Sequence, residues 1–258
     1  MKTFKRGWGS ALLLFILIPV MMFAAAWIVK LTGMSSRLSG PLQDTLVLLG
    51  AWTYNHYVAK VPVHWGNFKN FGQQFHLAIP ALILVAFLAV AKLVQLFQTP
   101  FQPVMVFYLC YVILIGLTEE FVFRGLLIPL LARSLPGKPL ATVLLSSALF
   151  GGLHLINTTQ ISWTYVLPQI LFAMALGTFF ASLYVSTDNL MLTIALHAIT
   201  DVSLITQLVS HSTDFSNFTM SPTISLVVAG FYLFIFIIAI IVANRQVKGI
   251  TIQTELDD

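Results

Sequence analysis

The chain has 258 residues, of which 58% are hydrophobic and only 9% charged, and its formal net charge is +4. Soluble domains are about one quarter charged, so this composition excludes an ordinary soluble protein. The 13 basic residues are scattered through short loops, which argues against a nucleic-acid-binding surface, and the single cysteine, Cys110, excludes a disulfide within the chain. The lipid bilayer is the expected surrounding.

Eight apolar segments follow one another along the chain. About twenty apolar residues cross the hydrocarbon core as a helix, which satisfies its own backbone hydrogen bonds there. The segments cover approximately residues 10–29, 42–59, 75–97, 103–132, 139–157, 163–186, 189–209 and 222–243. We therefore predict an all-α polytopic membrane protein with about eight transmembrane helices, which form one membrane domain over residues 1–258.

Two of these segments differ from a plain apolar span. The second contains polar residues, namely Gln43, Asp44, Asn55 and His56. An interfacial or partly buried helix is the alternative there, and it would lower the number of spans to seven. The fourth segment is overlong and contains Gly116, Gly125 and Pro129, which predicts a kink or a re-entrant break.

The distribution of basic residues predicts the orientation. With eight spans, the loops on the side of the N-terminus contain Lys2, Lys5, Arg6, Lys60, Lys69, Arg133, Lys138, Arg245 and Lys248. The opposite side contributes mainly Lys30 and Arg37. Because basic loops stay in the cytoplasm, we expect both termini to be cytoplasmic. The short loops favour a bacterial plasma membrane as the location.

Ionisable residues occur inside three of the predicted spans. The fourth segment contains Glu119, Glu120 and Arg124, the fifth contains His154, and the seventh contains His197 and Asp201. Such groups cost several kcal/mol in a membrane, so they indicate a functional site. Counted from the predicted cytoplasmic helix ends, Glu119, His154, His197 and Asp201 lie about 12–22 Å deep, and they therefore share one layer.

Helical geometry gives the two adjacent glutamates different roles. Arg124 lies about 40° around the helix from Glu120 but about 140° from Glu119. Glu120 and Arg124 therefore form a structural ion pair near the site, whereas Glu119 is left to act as a general base or acid. His197 and Asp201 share a helix face, so that Asp201 can orient the imidazole.

A buried polar network that only holds helices together is the alternative reading of these residues. It suits the ion pair, but a further carboxylate and two histidines add a desolvation cost without a structural need. Function is therefore the better interpretation of Glu119, His154, His197 and Asp201. Gly151 and Gly152, which precede His154, are better explained by helix packing than by substrate binding.

Three motifs occur in order on successive helices. They are Glu119-Glu120 with Arg124 (EExxxR), Phe150 with His154 (FxxxH), and His197 with Asp201 (HxxxN/D). With these motifs, the chain resembles the CAAX protease and bacteriocin-processing (CPBP) family of intramembrane peptidases, also called the abortive-infection family, which includes the type II CAAX prenyl endopeptidases. The resemblance covers roughly residues 100–210 and places the catalytic core at about 103–210.

The resemblance implies peptide-bond hydrolysis. Glu119 and His154 would activate water, while His197 and Asp201 would bind the developing oxyanion or orient its donor. The prenyl endopeptidases commonly have asparagine where this chain has Asp201. Because an ionised aspartate cannot donate a hydrogen bond, we expect Asp201 to act indirectly, through His197.

The resemblance leaves the cofactor open. The family has been described as metal-dependent, and Glu119, His154, His197 and Asp201 are candidate zinc ligands by residue type. A glutamate-type mechanism would require no cofactor. The zinc-protease motif HExxH is absent from the sequence, as are the serine motif GxSG and the aspartyl motif GxGD.

The expected partner is a peptide or protein substrate at the membrane. Bacterial members of the family often accompany peptide bacteriocins, which suggests bacteriocin peptide maturation or self-immunity. Two other classes would also use buried ionisable groups: a non-catalytic peptide-binding immunity or scaffold protein, and a proton-coupled transporter. The inverted repeats typical of transporters are not evident in the sequence.

Overall fold

The computed structural model describes residues 2–210 and 219–254, with the side chains of residues 2–6 and 210 excepted. The described residues form helices and connecting turns, without a β-strand. The α-helices are α1 (Lys2–Thr32), α2 (Ser39–Tyr54), α3 (Phe71–Gln98), α4 (Val104–Glu120), α5 (Ile128–Ser134), α6 (Pro139–Leu153), α7 (Trp163–Thr187), α8 (Leu190–Thr200), α9 (Ser203–Ser210) and α10 (Pro222–Gln246).

Six helical segments in the described ranges are long and apolar enough to cross a membrane. They are Gly7–Thr32, Phe71–Gln98, Val104–Ser134, Pro139–Thr159, Trp163–Thr187 and Pro222–Gln246. The pair α8 and α9, bent by 43°, adds a seventh if it is counted as one span. The predicted all-α polytopic membrane fold is confirmed, with six or seven such spans against the predicted eight.

The difference in number comes from the polar second segment. It forms α2 and a following π-helical turn, Asn55–Ala59, and α2 is not among the six candidate spans. α2 nevertheless packs against α1 in the antiparallel direction. The Tyr54 hydroxyl at the end of α2 donates a hydrogen bond of 2.9 Å to the Ser10 carbonyl near the start of α1.

The overlong fourth segment contains a π-helical stretch instead of a re-entrant break. Phe121–Leu127 joins α4 to α5, so that Val104–Ser134 forms one membrane-long helix. Pro129 lies directly after this stretch, as the second residue of α5. Widened turns of this kind are frequent at functional sites, and this one begins directly after Glu120.

Both described ends of the chain lie on one face of the bundle, which we call the terminal face. Arg133 lies on this face and donates hydrogen bonds to the carbonyls of Ala59 (3.0 Å) and Thr254 (2.7 Å). Gly7, in the first turns of α1, packs against the same arginine. The described ends of the chain therefore lie on the same side.

The opposite side, which we call the distal face, contains the turns 33–38, 99–103 and 160–162 and the start of α10. Met220 donates its backbone N–H to Thr164 Oγ1 at 3.5 Å there, which joins the starts of α7 and α10. α3 and α9 end on this face, and α4 begins on it.

Candidate active site

His197 on α8 is the centre of a buried polar cluster. Its Nδ1 lies 2.7 Å from Glu120 Oε1, and its Nε2 lies 3.3 Å from Glu119 Oε2 and 3.4 Å from Asp201 Oδ2. The side chain is only 4% exposed. The structure thus brings the fourth and seventh predicted segments together at four of the predicted residues.

The atoms around His197 determine where hydrogens must lie. An ionised carboxylate only accepts hydrogen bonds, so Nδ1 must donate its hydrogen to Glu120. Nε2 and the facing oxygens of Glu119 and Asp201 then need at least one hydrogen among them to avoid three facing lone pairs. The cluster can therefore hold and share a proton on the side of Glu119.

Glu120 and Arg124 form the interior of the cluster. Glu120 Oε1 lies 3.1 Å from Arg124 Nη1, and both side chains are 1% exposed or less. Arg124 Nη2 donates to the Gly177 carbonyl on α7 at 3.4 Å, and the guanidinium lies 4.6 Å from the centre of the Phe150 ring on α6. This pair joins three helices, and Glu120 also holds His197, a contact that the sequence reasoning had missed.

The two glutamates differ in exposure. The side chain of Glu119 is 27% exposed and that of Asp201 is 30% exposed, whereas Glu120 is fully buried. Glu119 can therefore contact water in the cavity, and Glu120 cannot.

His154 begins the 3-10 helical turn that follows α6. Its Nδ1 lies 3.1 Å from the Phe150 carbonyl, and because a carbonyl only accepts, Nδ1 donates. In the neutral ring Nε2 is then the nitrogen that can accept a hydrogen. No described hydrogen bond or ion pair joins His154 to Glu119, and the two side chains instead line one cavity.

Gly116 allows α4 and α8 to approach closely. A side chain at this position would lie about 3.1 Å from the Ile194 carbonyl and 3.3 Å from the Ala198 nitrogen, both backbone atoms of α8. Small residues permit such approach in membranes, where packing drives helix association. This contact brings Glu119 and Glu120 within reach of His197.

Gly151 does the same for α6 and α7. A side chain there would lie 2.9 Å from the Ile170 carbonyl and would overlap Met174, whereas Gly152 has no neighbouring atom within 4 Å of such a side chain. Of the two glycines, Gly151 is therefore the packing residue. It fixes the end of α6, from which His154 extends.

The candidate active site opens into a cavity of about 410 Å³. Its walls include all four predicted catalytic residues, Glu119, His154, His197 and Asp201. The cavity also contacts parts of α3, α7, α9 and α10. It is large enough for water and for a short stretch of polypeptide.

Lys92 on α3 lines the same cavity and was missed by the sequence reasoning. The Lys92 Nζ donates a hydrogen bond of 3.2 Å to the Thr200 carbonyl. The positive charge of Lys92 also attracts the carboxylate of Asp201, which follows Thr200 in the chain. The signal in the sequence was its position as the one charged residue between positions 75 and 97.

Asp44 on α2 lies behind Glu119. Its carboxylate hydrogen-bonds the Tyr111 hydroxyl, and its carbonyl accepts a hydrogen bond of 3.3 Å from Thr118. A second cavity, of about 50 Å³, is lined by both Asp44 and Glu119. Asp44 therefore faces α4 and the candidate active site.

The described part of the chain contains no group of three or more histidine, cysteine, aspartate or glutamate side chains arranged to hold a metal ion. The four candidate zinc ligands share a cavity without forming such a group.

A comparison with protein families finds one match to this region. The family model described as type II CAAX prenyl endopeptidase Rce1-like matches residues 100–203, which include all six predicted site residues. The matched segment is similar to this family over about two fifths of the chain. The match agrees with the resemblance seen in the sequence motifs. No curated protein and no solved structure matches the chain significantly.

Proposed function

We propose that this protein is an intramembrane endopeptidase that hydrolyses a peptide bond with a water molecule activated by Glu119 and His154. The observation that carries the proposal is the division between the two glutamates. Glu119 lines a cavity with His154, while Glu120 is fully buried with Arg124 and His197. A purely structural network would not require the partly exposed carboxylate.

Glu119 acts as the general base. It takes a proton from water while the water oxygen attacks the scissile carbonyl carbon, which gives a tetrahedral intermediate. His154 Nε2 accepts the second hydrogen of the same water and aligns it. When the carbon–nitrogen bond breaks, the protonated Glu119 returns the proton to the leaving amine.

His197 stabilises the oxyanion. A hydrogen on Nε2 can be donated to the developing negative charge, and the bond from Nδ1 to Glu120 fixes the ring for this task. Asp201 orients and charges His197 without donating a bond itself. Lys92 on α3 contacts the C-terminal end of α8 and offsets the negative charge of Asp201.

The biological role that we propose is maturation of a bacteriocin peptide, or self-immunity to one, at a bacterial plasma membrane with both termini in the cytoplasm. The family resemblance supports the role, and the distribution of basic residues supports the orientation.

Purified protein and a library of membrane-anchored peptides test this function. We expect the protein to cut at least one peptide into two fragments whose combined mass equals that of the substrate plus one water. A folded protein that binds peptides and cuts none would contradict the proposal, and a non-catalytic scaffold would replace it. Proton-coupled uptake into vesicles, again without cleavage, would favour the transporter.

A further inference from the structure

Asp44 on α2 is an acidic residue beside the candidate active site that the proposed mechanism does not use. It lies in the polar second segment and is partly buried in the bundle. A carboxylate within an apolar helix bundle is costly unless it has partners. The groups that surround Asp44 therefore indicate what it does.

Two groups on one face of α4 hold Asp44. The Tyr111 hydroxyl hydrogen-bonds its carboxylate, and Thr118 Oγ1 donates a hydrogen bond of 3.3 Å to its backbone carbonyl. Tyr111 and Thr118 share this face because seven residues turn a helix to within about 20° of its starting direction. Gly40, one turn before Asp44, leaves room for the contact, since a side chain there would overlap the Tyr111 hydroxyl. The packing of α2 against α4 thus fixes the position of the Asp44 carboxylate.

The small cavity of about 50 Å³ connects Asp44 with Glu119. Gln43 and Thr118 add polar groups to its wall. The remaining wall is apolar and consists of Ile18, Met22, Val47, Val122, Phe123 and Leu153. A cavity of this size with polar groups on its wall has room for a water molecule. Such a water can donate one hydrogen to each of the two carboxylates, and it would then fix the direction of the Glu119 side chain.

Asp44 reaches the catalytic cavity only through Glu119. Glu119 lines both the small cavity and the catalytic cavity of about 410 Å³, whereas Asp44 lines the small cavity alone of these two. A substrate in the catalytic cavity would therefore contact Glu119 and not Asp44. Any effect of Asp44 on the reaction must be transmitted by Glu119.

The charge of Asp44 acts on the proton transfer to Glu119. The two carboxylates interact electrostatically, and Asp44 also interacts with His197 and Asp201 on α8. When Glu119 takes a proton from water it loses its charge, so the repulsion between two neighbouring carboxylates is relieved. The hydrogen bond donated by Tyr111 stabilises the ionised form of Asp44 that this effect requires.

We propose that Asp44 is a positioning residue for Glu119. Its carboxylate, held by Tyr111, orients Glu119 through a water in the small cavity and favours the transfer of a proton from the attacking water to Glu119. This inference rests on the proposed peptidase function and adds a residue of α2 to it. A purely structural Asp44 would only tie α2 to α4, and its charge would have no effect on the reaction.

Asp44→Asn in the full-length protein separates these two roles. Asparagine keeps the size of the side chain and an oxygen that accepts from Tyr111, but it loses the charge. With a library peptide that wild type cuts, we expect kcat to fall by roughly tenfold, which corresponds to a coupling of about 1.4 kcal/mol between neighbouring groups. KM and the melting temperature should stay close to wild type. Asp188→Asn is the matched control, because it removes an exposed carboxylate after α7 and asparagine tolerates the left-handed backbone there.

A double variant tests whether Tyr111 acts through Asp44. Tyr111→Phe alone removes the hydrogen bond and should lower kcat by a smaller factor than Asp44→Asn does. In the Asp44→Asn background the same substitution should add little, because the charge that Tyr111 holds is already gone. Full additivity of the two losses would overturn the proposed pairing.

The outcomes also distinguish this inference from the proposed function. Wild-type kcat in folded Asp44→Asn would overturn the inference and leave the peptidase function standing. A melting temperature lowered as much as in Arg124→Ala, or a rise in KM with kcat unchanged, would assign Asp44 to helix packing and overturn the inference as well. If wild type cuts no peptide, the proposed function fails and the role of Asp44 fails with it.

Discussion

His197 is held by a buried carboxylate on one ring nitrogen and faces two partly exposed carboxylates on the other. This arrangement separates positioning from chemistry. Glu120 holds the ring through Nδ1, so that Nε2 remains available to a proton or an oxyanion. Asp201, beside Nε2, then acts on the charge and the orientation of the His197 ring.

Asp201→Asn tests this part of the account. Asparagine keeps the size of the side chain but loses its charge, so an indirect role predicts a partial loss of kcat with KM little changed. The measurement is steady-state kinetics on a cleaved library peptide. Retained or improved activity would instead indicate that residue 201 donates directly to the oxyanion.

Lys92→Met should lower activity because it leaves the charge of Asp201 without its neighbouring cation. We expect a loss of roughly twofold or more, since coupled charged neighbours typically interact by about 0.5–3 kcal/mol. Lys92→Arg, which keeps the charge, serves as the matched control and should retain most activity. In an Asp201→Asn background the effect of Lys92→Met should shrink, and simple additivity of the two substitutions would argue against this pairing.

Helix contacts around the site depend on one ion pair and two glycines. Removing one partner of a buried pair costs about 3–5 kcal/mol, because the other charge stays buried without compensation. Arg124→Ala should therefore lower the melting temperature in detergent much more than Glu119→Gln does, since Glu119 is partly exposed. Equal melting temperatures for Arg124→Ala and wild type would contradict the structural role of the pair.

Gly151→Ala and Gly152→Ala form a matched pair on α6. Alanine at position 151 would meet the backbone of α7, whereas alanine at position 152 has open space. We expect Gly151→Ala to lower both the melting temperature and activity, by displacing His154. Gly152→Ala should leave both close to wild type, and similar effects of the two substitutions would refute the packing argument.

The sequence predicted the helices well and their mutual rotation poorly. Apolar length placed the predicted spans, and the 100° step per residue separated Glu119 from Glu120. The contact between Glu120 and His197 could not be predicted, because it depends on how α4 rotates against α8 at Gly116. The π-helical stretch after Glu120 depends on neighbouring helices in the same way. Lys92 was missed because a single lysine in an apolar run carries no motif.

The whole bundle places both described chain ends on the terminal face. A reporter fused to the C-terminus should be active only if it functions in the cytoplasm, because the basic turns of the terminal face favour that side. Paired fusions to a cytoplasmic and an exported reporter measure this. Activity of the exported reporter alone would reverse the proposed orientation.

The proposed hydrolysis of a peptide bond by Glu119 together with His154 can be tested on a single variant. The rate at which purified Glu119→Gln cuts a verified substrate is compared with wild type, and melting temperature and peptide binding serve as controls for folding. Glutamine keeps the size of glutamate but cannot take a proton from water, so the rate should fall by about 10²–10⁴-fold. His154→Ala should be similarly severe, and the double variant little worse than either single one, because residues that act as one unit are not additive. Cleavage by folded Glu119→Gln at the wild-type rate would contradict the account.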